Sequence, residues 1–459
     1  MRDIRTEKPT TRERRFDVEN ASDYLARKGR EIALIERSLA DASTLAQPAT
    51  SPAQVVERKF KLAAALRAER SLQSWAVTET ARPEVQRWRS GAYQFSFGYQ
   101  RADLQVRGPP IYRAIDASQR GIRQQTLYTG SGMSAIAAVI TALLRLRGPL
   151  QVIAARGCYS ETRELLNSFG RQVTIAPFTF RKGLVTRSAE TTRMLLLDSC
   201  VGARFDDYRH RSPKDIDLAI FDTTCFWQDS ARVRLAVEWA SRSRLPLVLV
   251  RSHAKLDSLG IEYGRLGSVV LVWRAADKAS RWMKELVRAA EASVRLYGVA
   301  AIPAHFPPFT GTNEYRECSR ARTAAIVRNT RRMAQTLSAA LGDARVRKFQ
   351  HGLYLALVPG GDLDLKDVKA AADDLCQSLA RQGLLVRHAG SFGFDFVAVE
   401  WFFDAILRRN VIRVAGADLP SSLIDRVSEG IEAWWSQHRM SAVRRPAACI
   451  VETRDATAS

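Results

Sequence analysis

Six short apolar runs recur between residues 151 and 273, and they constrain the fold more than anything else in the chain. They read QVIAA (151–155), VTIAPF (173–178), RMLLLDS (193–199), DLAIFDT (217–223), PLVLVRS (246–252) and SVVLVW (268–273). Each has the length of a strand, and a strand apolar throughout must be covered on both faces. Segments with helical spacing, such as AIAAVITALLRL and ARVRLAVEWASRS, lie before or between them. The alternation predicts an α/β fold, a three-layer sandwich whose mostly parallel central sheet carries helices on both sides. In such sheets ligands bind beyond the carboxyl ends of the strands.

The flanks have a different character. Residues 1–88 read as a polar helical arm: SDYLARKGREIALIERSLADA has helical apolar spacing, and Ser51-Pro52 caps and opens a second helix. The arm shows no chemistry and is expected to pack on the body or on a second subunit. Residues 89–305 form the large strand–helix domain. Beyond the proline-rich IPAHFPPFTGT, residues 306–440 read as a smaller C-terminal α+β domain and 441–459 as a loose tail.

Composition narrows the function classes. No run approaches the roughly 20 apolar residues of a membrane span, and no apolar stretch of a secretory signal follows the charged N-terminus. Six scattered cysteines without a CxxC pair argue against a zinc site and a disulfide framework, and suit a reducing cytoplasm. The net charge of +22 is the outlier. A basic face is the footprint of nucleic-acid binding. Here, however, the arginines are dispersed among Asp and Glu along the whole chain, which favours an enzyme handling anions over a nucleic-acid partner.

Polar residues collect where the strands should end. Asp198 and Ser199 close one run, Asp222-Thr223-Thr224 the next, and Ser252 another, with Lys255 just beyond it. YTGSGMSAIAAVITALL places Ser131-Gly132-Met133 at a helix start, where free amides and the helix dipole bind phosphate. Tyr159 follows a further strand. These are the parts a pyridoxal-phosphate site requires: a lysine for the Schiff base, a carboxylate for the pyridinium nitrogen, an aromatic face and a phosphate cradle. Plainer roles exist for each. Lys255 could be a solvated lysine, Asp222 a helix cap, Tyr159 a half-buried tyrosine, and His253 and Cys225 packing residues. Arg413 sits inside an apolar run and needs a carboxylate, either a substrate's or that of a structural Asp or Glu.

On these residues the chain resembles the fold-type I pyridoxal-phosphate enzymes. It is most similar to the cysteine/methionine metabolism branch (cystathionine synthases and lyases, methionine γ-lyase), over roughly residues 89 to 436. The resemblance implies an aspartate-aminotransferase-like fold with pyridoxal 5'-phosphate as cofactor and no metal. Ser131, Gly132, Met133 and Ser252 would hold the phosphate end, Thr224 would contact the cofactor, and Tyr159 would stack on the ring. Asp222 would pair with the ring nitrogen, and Lys255, in Ser252-His253-Ala254-Lys255, would carry the Schiff base. Tyr99 and Arg101 resemble a tyrosine-x-arginine motif that reaches the neighbouring subunit's phosphate, which implies a homodimer or homotetramer. Arg413 would bind the substrate carboxylate, with Ser391 in the GSFGFD loop (390–395) beside it.

Three departures stand out. Ala254 replaces a threonine, and DSCVG (198–202) stands where the family has ESPSNP. The lysine segment also resembles the aminotransferase pattern SxSKxxxxGxRxG, with Gly260 and Gly264 in place but Glu262 at the arginine position. The implied activity is β- or γ-elimination or replacement on a small-molecule amino-acid substrate. Transamination is the alternative, and a non-catalytic basic scaffold or regulator is the reading from another class.

Overall fold

The computed structural model describes residues 18–41, 48–74, 86–97, 106–108, 121–155, 157–177, 191–198 and 215–438. The arm forms two helices, α1 (Ala21–Glu36) and α2 (Pro52–Gln73). Asn20 caps the first by accepting from the Asp23 amide at 2.8 Å. Ser51 caps the second, with Pro52 in its first turn. Both pack on the body: Tyr24, Ile35, Leu62 and Leu66 are buried in one core with Tyr315 and Leu337.

Ten strands form the large sheet: β1 (Gln86–Ser90), β2 (Tyr93–Phe97), β3 (Val106–Arg107), β4 (Ile122–Thr129), β5 (Leu150–Ala154), β6 (Val173–Pro177), β7 (Thr192–Asp198), β8 (Leu218–Asp222), β9 (Leu247–Ser252) and β10 (Gly267–Arg274). Their order is β1-β2-β3-β4-β10-β9-β8-β7-β5-β6. From β4 to β6 the sheet is mostly parallel, as expected. The exception there is β10, which runs antiparallel to both β9 and β4. Strands β1 to β3 then extend the sheet as an antiparallel edge that the apolar runs did not reveal.

Helices cover both faces. α3 (Gly132–Arg147) and, after α4 (Ser160–Ser168) and α5 (Ala231–Arg242), α6 (Ser280–Leu296) follow in the chain. α3 and α6 share one core, and α5 builds the opposite one. Strand β8 feeds both by alternation: Leu218 and Ile220 enter the first, Ala219 and Phe221 the second. Each such buried apolar side chain contributes about 1.5–3 kcal/mol relative to exposure, which is why the strand itself has no polar residue until Asp222.

The C-terminal part begins with the long α7 (Asn313–Leu341), capped by Thr312. A five-stranded sheet follows, built from β11 (Val346–Lys348), β12 (Tyr354–Leu357), β13 (Val386–His388), β14 (Val397–Asp404) and β15 (Arg409–Ala415), in the order β11-β12-β15-β14-β13. Helices α8 (Leu365–Arg381) and α9 (Ser421–Gln437) complete it. Tyr99, Arg101 and Ser199 lie outside the described residues.

Candidate active site

β8 and β9 are parallel neighbours, so their carboxyl ends fall side by side. Asp222 is the last residue of β8 and Ser252 the last of β9. The chain after Ser252 turns sharply, because His253 and the residues behind it are pinned. Arg251, fully buried, donates from Nε and Nη2 to the two Asp257 oxygens at 2.5 and 2.7 Å. Its Nη1 donates to the carbonyls of Thr223 and Phe226, both at 2.7 Å. His253 bridges Asp257 (2.6 Å) and the Ser268 hydroxyl (2.8 Å). Burial alone would raise the Asp257 carboxyl, but Arg251 and His253 hold it well below the usual range. This knot fixes the loop that carries Lys255.

Lys255 opens into a cavity of about 590 Å³. Ser131, Gly132, Met133, Tyr159, Asp222, Thr224, Ser252, Lys255 and Arg413 all line it, so residues spread over nearly 300 positions meet there. The Lys255 Nζ donates to the Ser391 hydroxyl at 2.5 Å and lies 5.8 Å from the Phe392 ring centroid. Ser391 is therefore a direct neighbour of the lysine amine.

The floor of the cavity is the start of α3. Ser131 caps that helix, accepting from the Ser134 amide at 3.0 Å. A Cβ on Gly132 would lie 3.1 Å from both the amide nitrogen and the Cβ of Ser252, so the helix start is pressed against the end of β9. Gly267 permits the same approach from β10, since a Cβ there would sit 2.2 Å from the Ser131 carbonyl oxygen. Thr224 ties the floor to the aspartate: its hydroxyl accepts from the Ser252 amide at 3.0 Å, and its amide donates to Asp222 at 2.9 Å. Burial pushes the Asp222 carboxyl up, and the Thr224 hydrogen bonds and the Arg251 charge oppose that only in part.

Tyr159 stands at the first turn of α4, where its amide donates to Asp198 at 2.5 Å. Asp198 is directly opposite Asp222 in the β7–β8 register, so two neighbouring strands end in carboxylates with separate tasks. Thr162 is buried, with its hydroxyl 3.9 Å from the Met133 sulfur.

Arg413 reaches the cavity but has a protein partner. It is paired across strands with Glu400, and its Nη2 donates to that carboxylate at 2.6 Å. Of the two carboxylates left open for it, the structural one is in place. His253 proves to be a structural ligand of Asp257, and Cys225 is packed in an apolar core, as their plainer readings had it. Glu262 adopts a left-handed backbone, φ 40°, and burial raises its carboxyl.

No protein-family profile matches the sequence, and no curated protein matches it significantly. Among solved structures the chain is similar to apo CalE6, a methionine gamma lyase from Micromonospora echinospora. That likeness has 16% identity and a TM-score of 0.46, over 73% of this chain and 88% of that one. A second CalE6 structure, described as a cystathione gamma lyase, is similar at 15% identity and a TM-score of 0.46, with the same coverage. At that distance the site stands on its own geometry.

Proposed function

We propose that the chain is a pyridoxal-phosphate-dependent enzyme that eliminates or replaces a side-chain group of an amino acid. The observation that carries this is the meeting of Lys255, Asp222 and the α3 start in one cavity at the strand ends. The residues fit the cofactor. A helix start kept bare by Gly132 offers amides to a phosphate, with Ser131, Met133, Thr224 and Ser252 around it. Tyr159 supplies a ring to lie against the pyridine. Asp222, buried and raised, gains a cationic partner when a protonated ring nitrogen sits beside it, which offsets its burial cost.

Bound there, the cofactor supplies an electron sink for the substrate α-carbon. The Lys255 amine moves the α-proton as general base, within reach of Ser391. Asp222 keeps the proton on the ring nitrogen. Arg413 orients the substrate by exchanging the Glu400 carboxylate for the substrate's. The likeness of Ser131-Gly132-Met133 to the cysteine/methionine branch supports side-chain elimination or replacement over transamination. In the same reading Tyr99 and Arg101 complete a partner subunit's site, which makes the working unit a homodimer or a multiple of one.

The test is direct. The purified chain should carry a cofactor absorbing in the visible, and borohydride followed by peptide mapping should find it on Lys255. Lys255→Ala should lose it entirely. Attachment to another lysine, or a chain that binds none when supplied with it, overturns the proposal. Assays of ammonia, keto acid and thiol release over a panel of amino acids then separate elimination from transamination.

A further inference from the structure

Among the described residues the N-terminal arm contributes none to the cavity wall, yet its buried charges end on the two loops that do. From α1, Lys28 donates to Asp395 at 2.5 Å and to Glu31 at 2.9 Å, and lies 2.5 Å from Asp418. From α2, Lys59 is 2.7 Å from Glu31 and 2.8 Å from Asp395, and donates to the Leu259 carbonyl at 2.5 Å. From α7, Arg322 binds Asp395, meets Asp418 at 2.9 Å, and donates to the Gly393 carbonyl at 2.6 Å. All six side chains are buried. Glu31, Asp395 and Asp418 lie close enough to suggest a metal centre, but the two lysine ammonium groups already stand among them.

What these charges hold is specific. Asp395 is four residues beyond Ser391, the partner of the Lys255 amine, and Leu259 is four residues beyond Lys255 itself. The loops also press on each other. A Cβ on Gly393, at φ 87°, would sit 3.1 Å from the Lys255 carbonyl oxygen. A Cβ on Gly260, at φ 81°, would sit 2.4 Å from Arg322 Nη2 and 2.9 Å from Asp395 Oδ2. So the ion cluster is packed directly against the underside of the lysine loop. A buried ion network is a poor means of gaining stability alone, since apolar packing of equal volume does as well or better. Its worth lies in fixing geometry.

We propose that the arm is a positioning element of the site: Lys28 and Lys59 hold the lysine loop and the 390–395 loop in register, so that Ser391 meets Lys255. Neither arm residue touches a reacting atom. The arm would then control the placement of the lysine amine from outside the cavity.

The test compares Lys59→Met with Arg58→Met in the full-length chain. Arg58 pairs with Glu36 inside the arm. Lys59→Met should speed amide exchange over residues 253–260 and 389–396 by about threefold or more. Arg58→Met should leave both as they are. Should Lys59→Met fold poorly, the pair Lys59→Met with Glu31→Gln removes one charge of each sign and is read the same way. A third measurement needs no variant: native-state exchange of the parent chain in rising urea should show the arm and both loops opening as one unit. Loops that stay protected after the arm has opened, or equal effects from Lys59→Met and Arg58→Met, overturn the proposal. None of these readouts depends on turnover.

Discussion

In the cavity wall, Asp222 is hydrogen-bonded by Thr224 with only the Arg251 charge to help it, among the described residues, and the Lys255 amine meets the Ser391 hydroxyl. Behind that wall, Asp257 takes Arg251 through two nitrogens and His253 besides, and Asp395 takes Lys28, Lys59 and Arg322. The carboxylates are all buried, but burial wins only at Asp222, whose carboxyl is raised. At Asp257 and Asp395 burial acts in the same direction and is overcome, by Arg251 and His253 at one and by Arg322 and the two lysines at the other. A wall group with spare capacity can answer a ligand. A saturated group behind it can only hold its neighbours still.

That contrast is broken most directly at Asp222. Asp222→Ala should leave thermal unfolding nearly unchanged and lower turnover by about two to four powers of ten, or 2.7–5.4 kcal/mol of barrier. If turnover stays within about threefold, Asp222 only braces the turn at Thr224 and the wall is not what the comparison makes it. Asp257→Asn should do the reverse. It leaves Arg251 buried without its carboxylate, which costs about 3–5 kcal/mol of stability, so the midpoint of urea unfolding should fall even before any substrate is added. An unchanged midpoint would mean that the knot under the lysine loop is dispensable.

Acid sharpens the comparison with a smaller effect. Burial would raise the Asp418 carboxyl, but Arg322, Lys28 and Arg27 bring it down to about 2. A depressed carboxyl stabilises the fold fully above its ordinary value and loses that contribution as pH falls through the folded value. Stability should therefore drop between about pH 4 and pH 2, by about 2 kcal/mol from Asp418, with Asp395 following at still lower pH. Circular dichroism against pH reads this, and loss of signal in the arm only above pH 5 would contradict it.

The deep strands were legible because β5 and β7 to β10 are short, largely apolar runs covered on both faces. β1 and β2, QRWRS and YQFSF, alternate with polar residues at an exposed edge, so they left no run to find. β14 was also missed, and with it Glu400, which hid the partner of Arg413 until the strand pairing set the two opposite each other. In the cavity, Ser131, Asp222, Ser252 and Lys255 could be placed because strand ends and helix starts are local signals. The arm's role could not. Lys28 and Asp395 are 367 positions apart, and neither one's neighbours betray the other.

That separation has a consequence for how the molecule is made. A ribosome adding roughly 5–20 residues per second needs about 20–70 seconds to pass from Lys28 to Asp395. For that time the arm's lysines and Glu31 lack most of the ions they will be buried with, and desolvating them alone is costly. The arm must wait in water until the C-terminal half emerges. The later segment thus admits the earlier one into the core, and a chain cut short before Asp395 should leave its arm unburied.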